Sequence, residues 1–132
     1  MNEVRNKLKT LKNLFEEAKE YLKNGNVVQG CEKLYKITED CIKLLAEHFN
    51  LEEFKEAKEE GAWWSKLLAR ASLSLSRKLN EMKIHSAWLE AFDLHRHGFH
   101  EEIYTKEDVE NKKAVPLIEW LLNYTEEILR NG

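Results

Sequence analysis

The chain has 132 residues, a net charge of −3 and a pI of about 6.0, with 42% hydrophobic residues, 34% charged residues and one proline. That balance excludes a disordered tail and a uniformly basic nucleic-acid binder, and suits a single domain over residues 1–132 with its own core. The N-terminus has no apolar signal region and no apolar run is long enough to cross a bilayer, so a cytoplasmic protein with reduced thiols and no membrane partner is expected.

Apolar residues follow helical spacing almost throughout, and no segment alternates with period two. The expected fold is all-α, an antiparallel bundle of four to five main helices. The first covers roughly 2–23, with Val4, Leu8, Leu11, Phe15, Ala18 and Leu22 on one stripe. Gly25 suits a left-handed C-terminal cap, and Asn26 can cap the next helix with Gln29 returning the bond. That second helix, roughly 27–49, is apolar over so wide an arc that it belongs at the centre of the bundle. Cys31 and Cys41 fall on this arc and read as core packing.

A short helix follows at 51–59, with Asn50 and Glu53 in capping-box spacing and Gly61 as a stop. The third main helix covers roughly 62–79, with Trp64, Leu67, Leu68, Ala71, Leu75 and Leu79 inward. Its opposite stripe holds Trp63, Lys66, Arg70, Leu73 and Arg77. A tryptophan and a leucine on a basic face suit a homodimer contact. The alternatives are ordinary surface scatter, or nucleic acid with the three cations on phosphates and Trp63 stacking on a base. The fourth helix, roughly 81–97, turns Ile84, Trp88, Ala91, Phe92 and His95 inward. Thr105 and Asp108 suggest a cap and a short helical turn, and Pro116 fits the first turn of the last helix.

The fourth helix ends in 93-DLHRHGFHEE-102, the densest cluster of groups able to exchange protons. At about 100° per residue His97 lies about 160° round from His95, so it should face outward. Gly98 reads as a helix stop, with Phe99 folding back on Leu94 and His100 aimed by the loop beyond. The histidines then share no face, which argues against a metal site; no metal and no cofactor are expected. Arg96 and His100 remain as a pair able to act on RNA without metal, the arginine on a phosphate and the imidazole as general acid or base.

Three runs, 24-NGNVVQGCEKLYKITEDCIKLLAEHFNL-51, 61-GAWWSKLLARASLSLSRKL-79 and 87-AWLEAFDLHRHGFHE-101, together make the chain similar to the PaREP-type archaeal family over about residues 18–128. That family looks like a branch of the HEPN group (higher eukaryotes and prokaryotes nucleotide-binding). The resemblance implies an intracellular helical bundle, frequently a homodimer. HEPN relatives include metal-independent RNases, toxins paired with nucleotidyltransferase antitoxins, and non-catalytic binding modules. Catalytic members carry Arg followed by His after four to six intervening residues, whereas Arg96 and His100 have three between them. The reading is therefore a non-catalytic or weakly catalytic HEPN-like module that binds RNA, a nucleotide or a partner protein, such as a nucleotidyltransferase. Trp63, Lys66, Arg70, Arg77 and His97 are its candidate binding residues. The alternatives are a metal-independent RNase using Arg96 and His100, and a pure protein-interaction module.

Overall fold

The computed structural model describes residues 2–131. It contains α1 (Asn2–Lys23), α2 (Val27–His48), α3 (Glu52–Glu60), α4 (Ser65–Leu79), α5 (Lys83–Asp93), α6 (Lys106–Asn111) and α7 (Ala114–Asn131). A π-helical segment, Leu94–His100, continues directly from α5. No strand occurs among the described residues. Seven α-helices thus replace the four to five expected, because α3 and α6 are short connecting helices between longer ones.

The α1–α2 turn follows from its residues. Gly25 sits at φ +83°, and Asn26 N–H donates to Tyr21 O (2.8 Å) while Gly25 N–H donates to Leu22 O (3.1 Å). These two bonds satisfy the last carbonyls of α1. Asn26 Oδ1 then accepts from Gln29 N–H at 3.3 Å and caps α2. So short a link folds α2 back along α1. Gly30 lets the two helices close up, since a Cβ there would lie 2.7 Å from the Leu22 side chain.

α2 is the central helix. Eleven of its residues are buried, and it packs against α1, α3, α4, α5, α7 and the π-helical segment. Its wide apolar arc is satisfied from several sides. The core around it includes Phe15, Ile37, Leu45, Leu75, Ile84, Trp88, Leu94, Ile118 and Leu121, with Cys31 and Cys41 as free, fully buried thiols. Burial raises the pKa of Cys31 to about 11 and of Cys41 to about 12, which keeps both as unreactive thiols.

Two local expectations fail for the same reason. Asn50 does not cap α3; it takes the left-handed φ of +50° and closes α2, with Leu51 N–H on Ala46 O at 3.0 Å. Glu53 is then buried and accepts from Ser74 Oγ at 2.9 Å. Likewise α4 begins only at Ser65, after an extended Trp64 (ψ 154°). A helical wheel does not extend across residues 62–64, so the two tryptophans exchange the faces expected of them. Trp63 packs partly buried against the core, whereas Trp64 is 61% exposed and donates Nε1–H to Glu60 Oε2 at 3.1 Å. The remaining signals hold: Gly61 ends α3 at φ +73°, Thr105 and Asp108 form a reciprocal capping box on α6, and Pro116 lies in the first turn of α7.

Candidate functional site at the end of α5

Gly98 is not a helix stop. It is buried within the π-helical segment, and a Cβ on it would lie 2.5 Å from Cys31 Sγ and 3.0 Å from Cys31 Cβ. The glycine is needed because this segment presses on α2, not because the backbone turns left-handed. The chain turns four residues later, at Glu102, with φ +54°.

Wider helical turns change which side chains meet. In a π-helix the bond pattern is i to i+5, and Glu101 N–H donates to Arg96 O at 3.1 Å. Residues five apart are brought one above the other, so His95 and His100 come together, Nε2 to Nε2 at 3.2 Å. His95 is not the core histidine expected, for a quarter of its side chain stays exposed. Its ring stacks on Tyr35 (4.0 Å between centroids, 18° between planes) and lies near-parallel to Phe99 at 6.1 Å. Phe99 therefore folds against His95, where the sequence suggested Leu94. Glu32 Oε2, from α2, stands 3.5 Å from His95 Nδ1.

Tautomers can be assigned from these contacts. A carboxylate facing Nδ1 favours the Nδ1–H form of His95, which leaves its Nε2 to accept from His100 Nε2–H. The Nδ1 of His100 then presents a lone pair at an exposed side chain. The three side chains thus stand in the order Glu32, His95, His100, with His100 at the solvent end; Glu32 is in contact with His95 Nδ1 at 3.5 Å without a hydrogen bond to it. Arg96 is exposed on the same segment and has no ion pair among the described residues. Its guanidinium is open to an external anion.

His97 leads away from this group. Its Nδ1–H donates to Asp93 Oδ1 at 2.6 Å, and its Nε2 lies 3.3 Å from Glu101 Oε1. It is about one-third exposed, not the free outward histidine expected. Asp93 is the hub of this second network. It also accepts from Tyr104 O–H (2.5 Å) and pairs with Lys112 Nζ (2.6 Å), which reaches Glu90 at 3.0 Å. Burial pushes the Asp93 carboxyl up, but the bonds from Lys112, Tyr104 and His97 outweigh it and hold the pKa at about 2. Burial and the Asp93 carboxylate push the Tyr104 phenol up to about 12. Lys112 loses to burial and gains more from Asp93 and Glu90, so its ammonium is held above the ordinary lysine range. This hub ties α5 and the π-helical segment to Tyr104 and to Lys112 at the end of α6, and it holds the His97 ring in place.

The α4 candidates are only partly brought together. Lys66, Arg70 and Arg77 are exposed, but Arg70 is bonded to Glu56 at 3.2 Å, and Trp63 belongs to a different surface. Leu73 is half-buried. Among the described residues no three His, Cys, Asp or Glu side chains converge as metal ligands.

Sequence reasoning missed Glu32, Tyr35, Asp93, Tyr104 and Lys112. The Asp93–His97 spacing of four was legible as a helical pair. The others come from α2 and from the residues that flank α6, and nothing local in the sequence brings them there.

A family model described as the archaeal PaREP1/PaREP8 family matches residues 6–122. A crystal structure of a protein from Sulfolobus solfataricus is similar at 37% identity and TM-score 0.79, over 90% of this chain and 95% of that one. A solution structure of the same structural-genomics target is similar at 37% identity and TM-score 0.75, over 90% of each chain. No curated protein matches the chain. Among the described helices none is long and apolar enough to cross a membrane.

Proposed function

This chain belongs to the archaeal PaREP1/PaREP8 family, and on that premise we propose that it is a HEPN-like module that binds single-stranded RNA at the π-helical end of α5. The observation that carries the reading is the open guanidinium of Arg96 on the same short segment as the His95–His100 couple. An arginine with no partner of its own suits a phosphate, which it can hold by two parallel bonds. The exposed His100 ring beside Arg96 suits contact with an unstacked base. Protein-bound RNA phosphates displace counterions, so affinity should fall with salt by a logarithmic slope of about 0.7 per phosphate contact.

The test is fluorescence anisotropy with labelled single-stranded RNA in EDTA across a salt series. Arg96→Ala should weaken binding roughly tenfold and flatten the salt slope by about one contact. Equal affinity and slope in the variant, or no binding by the parent, would remove Arg96 from the function.

A second reading, weak metal-independent cleavage of RNA, is favoured by the 3.2 Å contact between His95 and His100 with Glu32 behind it. His100 would take the proton of a 2′-hydroxyl as that oxygen attacks phosphorus. The bond to the 5′-oxygen breaks and leaves a cyclic phosphate, and the departing oxygen takes a proton from a protonated imidazole or water. RNA that stays intact during incubation in EDTA, or a His100→Ala variant that cleaves as the parent does, rules this reading out.

A further inference from the structure

A cleft of about 480 Å³ lies away from the α5 end and is built by α1, α2, α3, α7 and the link before α4. Its walls are apolar and aromatic: Trp63 from the link, Phe54 from α3, Leu44 from α2 and Leu129 from α7. Asp40 of α2 also lines it. A volume of this order is within the range of small-molecule sites.

Asp40 is the feature that asks for a ligand. Its side chain is only 7% exposed, in the middle of the central helix. A carboxylate offers about four acceptor positions. Among the described residues Asp40 has one partner, Lys36 Nζ at 3.3 Å, itself half-exposed and outside the cleft. Lys36 fills one of these positions, and the carboxylate keeps acceptor capacity for a further donor. Nothing in the packing requires it, since an apolar residue at position 40 would join the arc that α2 already presents.

The cleft selects the sign of what binds. Glu3 and Glu47 join Asp40 on the acidic side. Against them stand Lys7 and Lys43, and Lys43 is bonded to Glu39 at 3.1 Å. His48 is at the edge. The space therefore carries a net negative charge over an indole wall. That combination attracts an organic cation by direct pairing and by the ring quadrupole.

We propose that this cleft binds a small organic cation with a flat apolar body, an aromatic amine or amidine. The Asp40 carboxylate receives its N–H donors and Trp63 lies along its body. Trp63 thereby keeps the binding role suggested by the sequence, but on an inner wall and not on a helix face.

The probes are benzamidine and its neutral isostere benzamide, titrated by calorimetry into the full chain. Benzamidine should bind at least tenfold more tightly than benzamide. Asp40→Asn should remove that preference, and Trp63→Leu should weaken both probes. Leu129→Trp, which fills the cleft from the α7 wall without touching Asp40, should abolish binding and keeps the proposal testable should Asp40→Asn not fold. Equal affinity for the two probes, no binding of benzamidine, or undiminished binding by Leu129→Trp overturns the proposal. The outcome is independent of RNA binding at Arg96.

Discussion

Replacing Gly98 by alanine separates two physical roles that this residue could have. A glycine that ends a helix in the left-handed region is strained by any Cβ, whatever its neighbours. Gly98 instead lies within a right-handed segment, and its added Cβ would meet Cys31 Sγ at 2.5 Å. Real Cβ atoms do not approach so closely, so α2 and the π-helical segment must part or Cys31 must change rotamer. Overpacking of this kind costs about 1–3 kcal/mol. Alanine recovers up to about 1 kcal/mol from its better helical propensity. The net expectation for Gly98→Ala is a loss of about 1–2 kcal/mol, or roughly 4–8 °C in Tm for a chain of this length. Cys31→Ala removes the sulfur that the new Cβ would strike. In that background the Cβ of residue 31 still stands 3.0 Å from the new methyl group, a contact relieved by a shift of a few tenths of an ångström, so Gly98→Ala should be close to neutral. The coupling energy of the double-mutant cycle should therefore be about 1–2 kcal/mol, measured by urea unfolding followed by circular dichroism. Equal costs in the two backgrounds would refute the close-approach argument and return Gly98 to the role of a turn.

Two further outcomes follow from the same structure. Asp93 is held near pKa 2 against an ordinary value of 3.8; the unfolded chain takes up the proton first, so the hub's contribution is complete above about pH 4 and is lost as pH falls towards 2. The shift corresponds to at most about 2 kcal/mol, less for a carboxylate that is 28% exposed; Asp93→Asn should flatten Tm between pH 4 and 2, and a parallel acid limb in the variant would take Asp93 out of acid denaturation. Trp63→Ala should cost about 2–3 kcal/mol through lost burial, whereas Trp64→Ala, at 61% exposure, should cost under about 1 kcal/mol; reversed costs in thermal melts would restore the helical-wheel assignment.

The candidate site was only partly legible. Arg96 and His100 could be picked out by type and proximity, but their partners could not. A 100° wheel sent His95 into the core and left His100 in a loop. The i to i+5 pattern of a π-helix puts the two imidazoles in contact instead. Propensity carries no signal for that change, because it arises where the segment is squeezed against α2 at Gly98 and Cys31. Trp63 and Trp64 were exchanged for a related reason: a wheel presumes that the helix has already begun, and α4 begins one residue after Trp64.

By itself the sequence determined whatever depends on near neighbours. Helical periodicity placed α1, α2 and α7 and made α2 central, since a wide apolar arc has to be covered from several directions. Gly25, Gly61 and the Thr105–Asp108 pair marked ends because their chemistry acts within one turn of backbone. Tertiary structure alone decided which distant groups meet: Glu32 with His95, Tyr104 and Lys112 with Asp93, and Trp63 with Asp40 across one cleft. Those meetings depend on how closely helices approach and where each is rotated. Packing sets both, after local preference has done no more than make the helices.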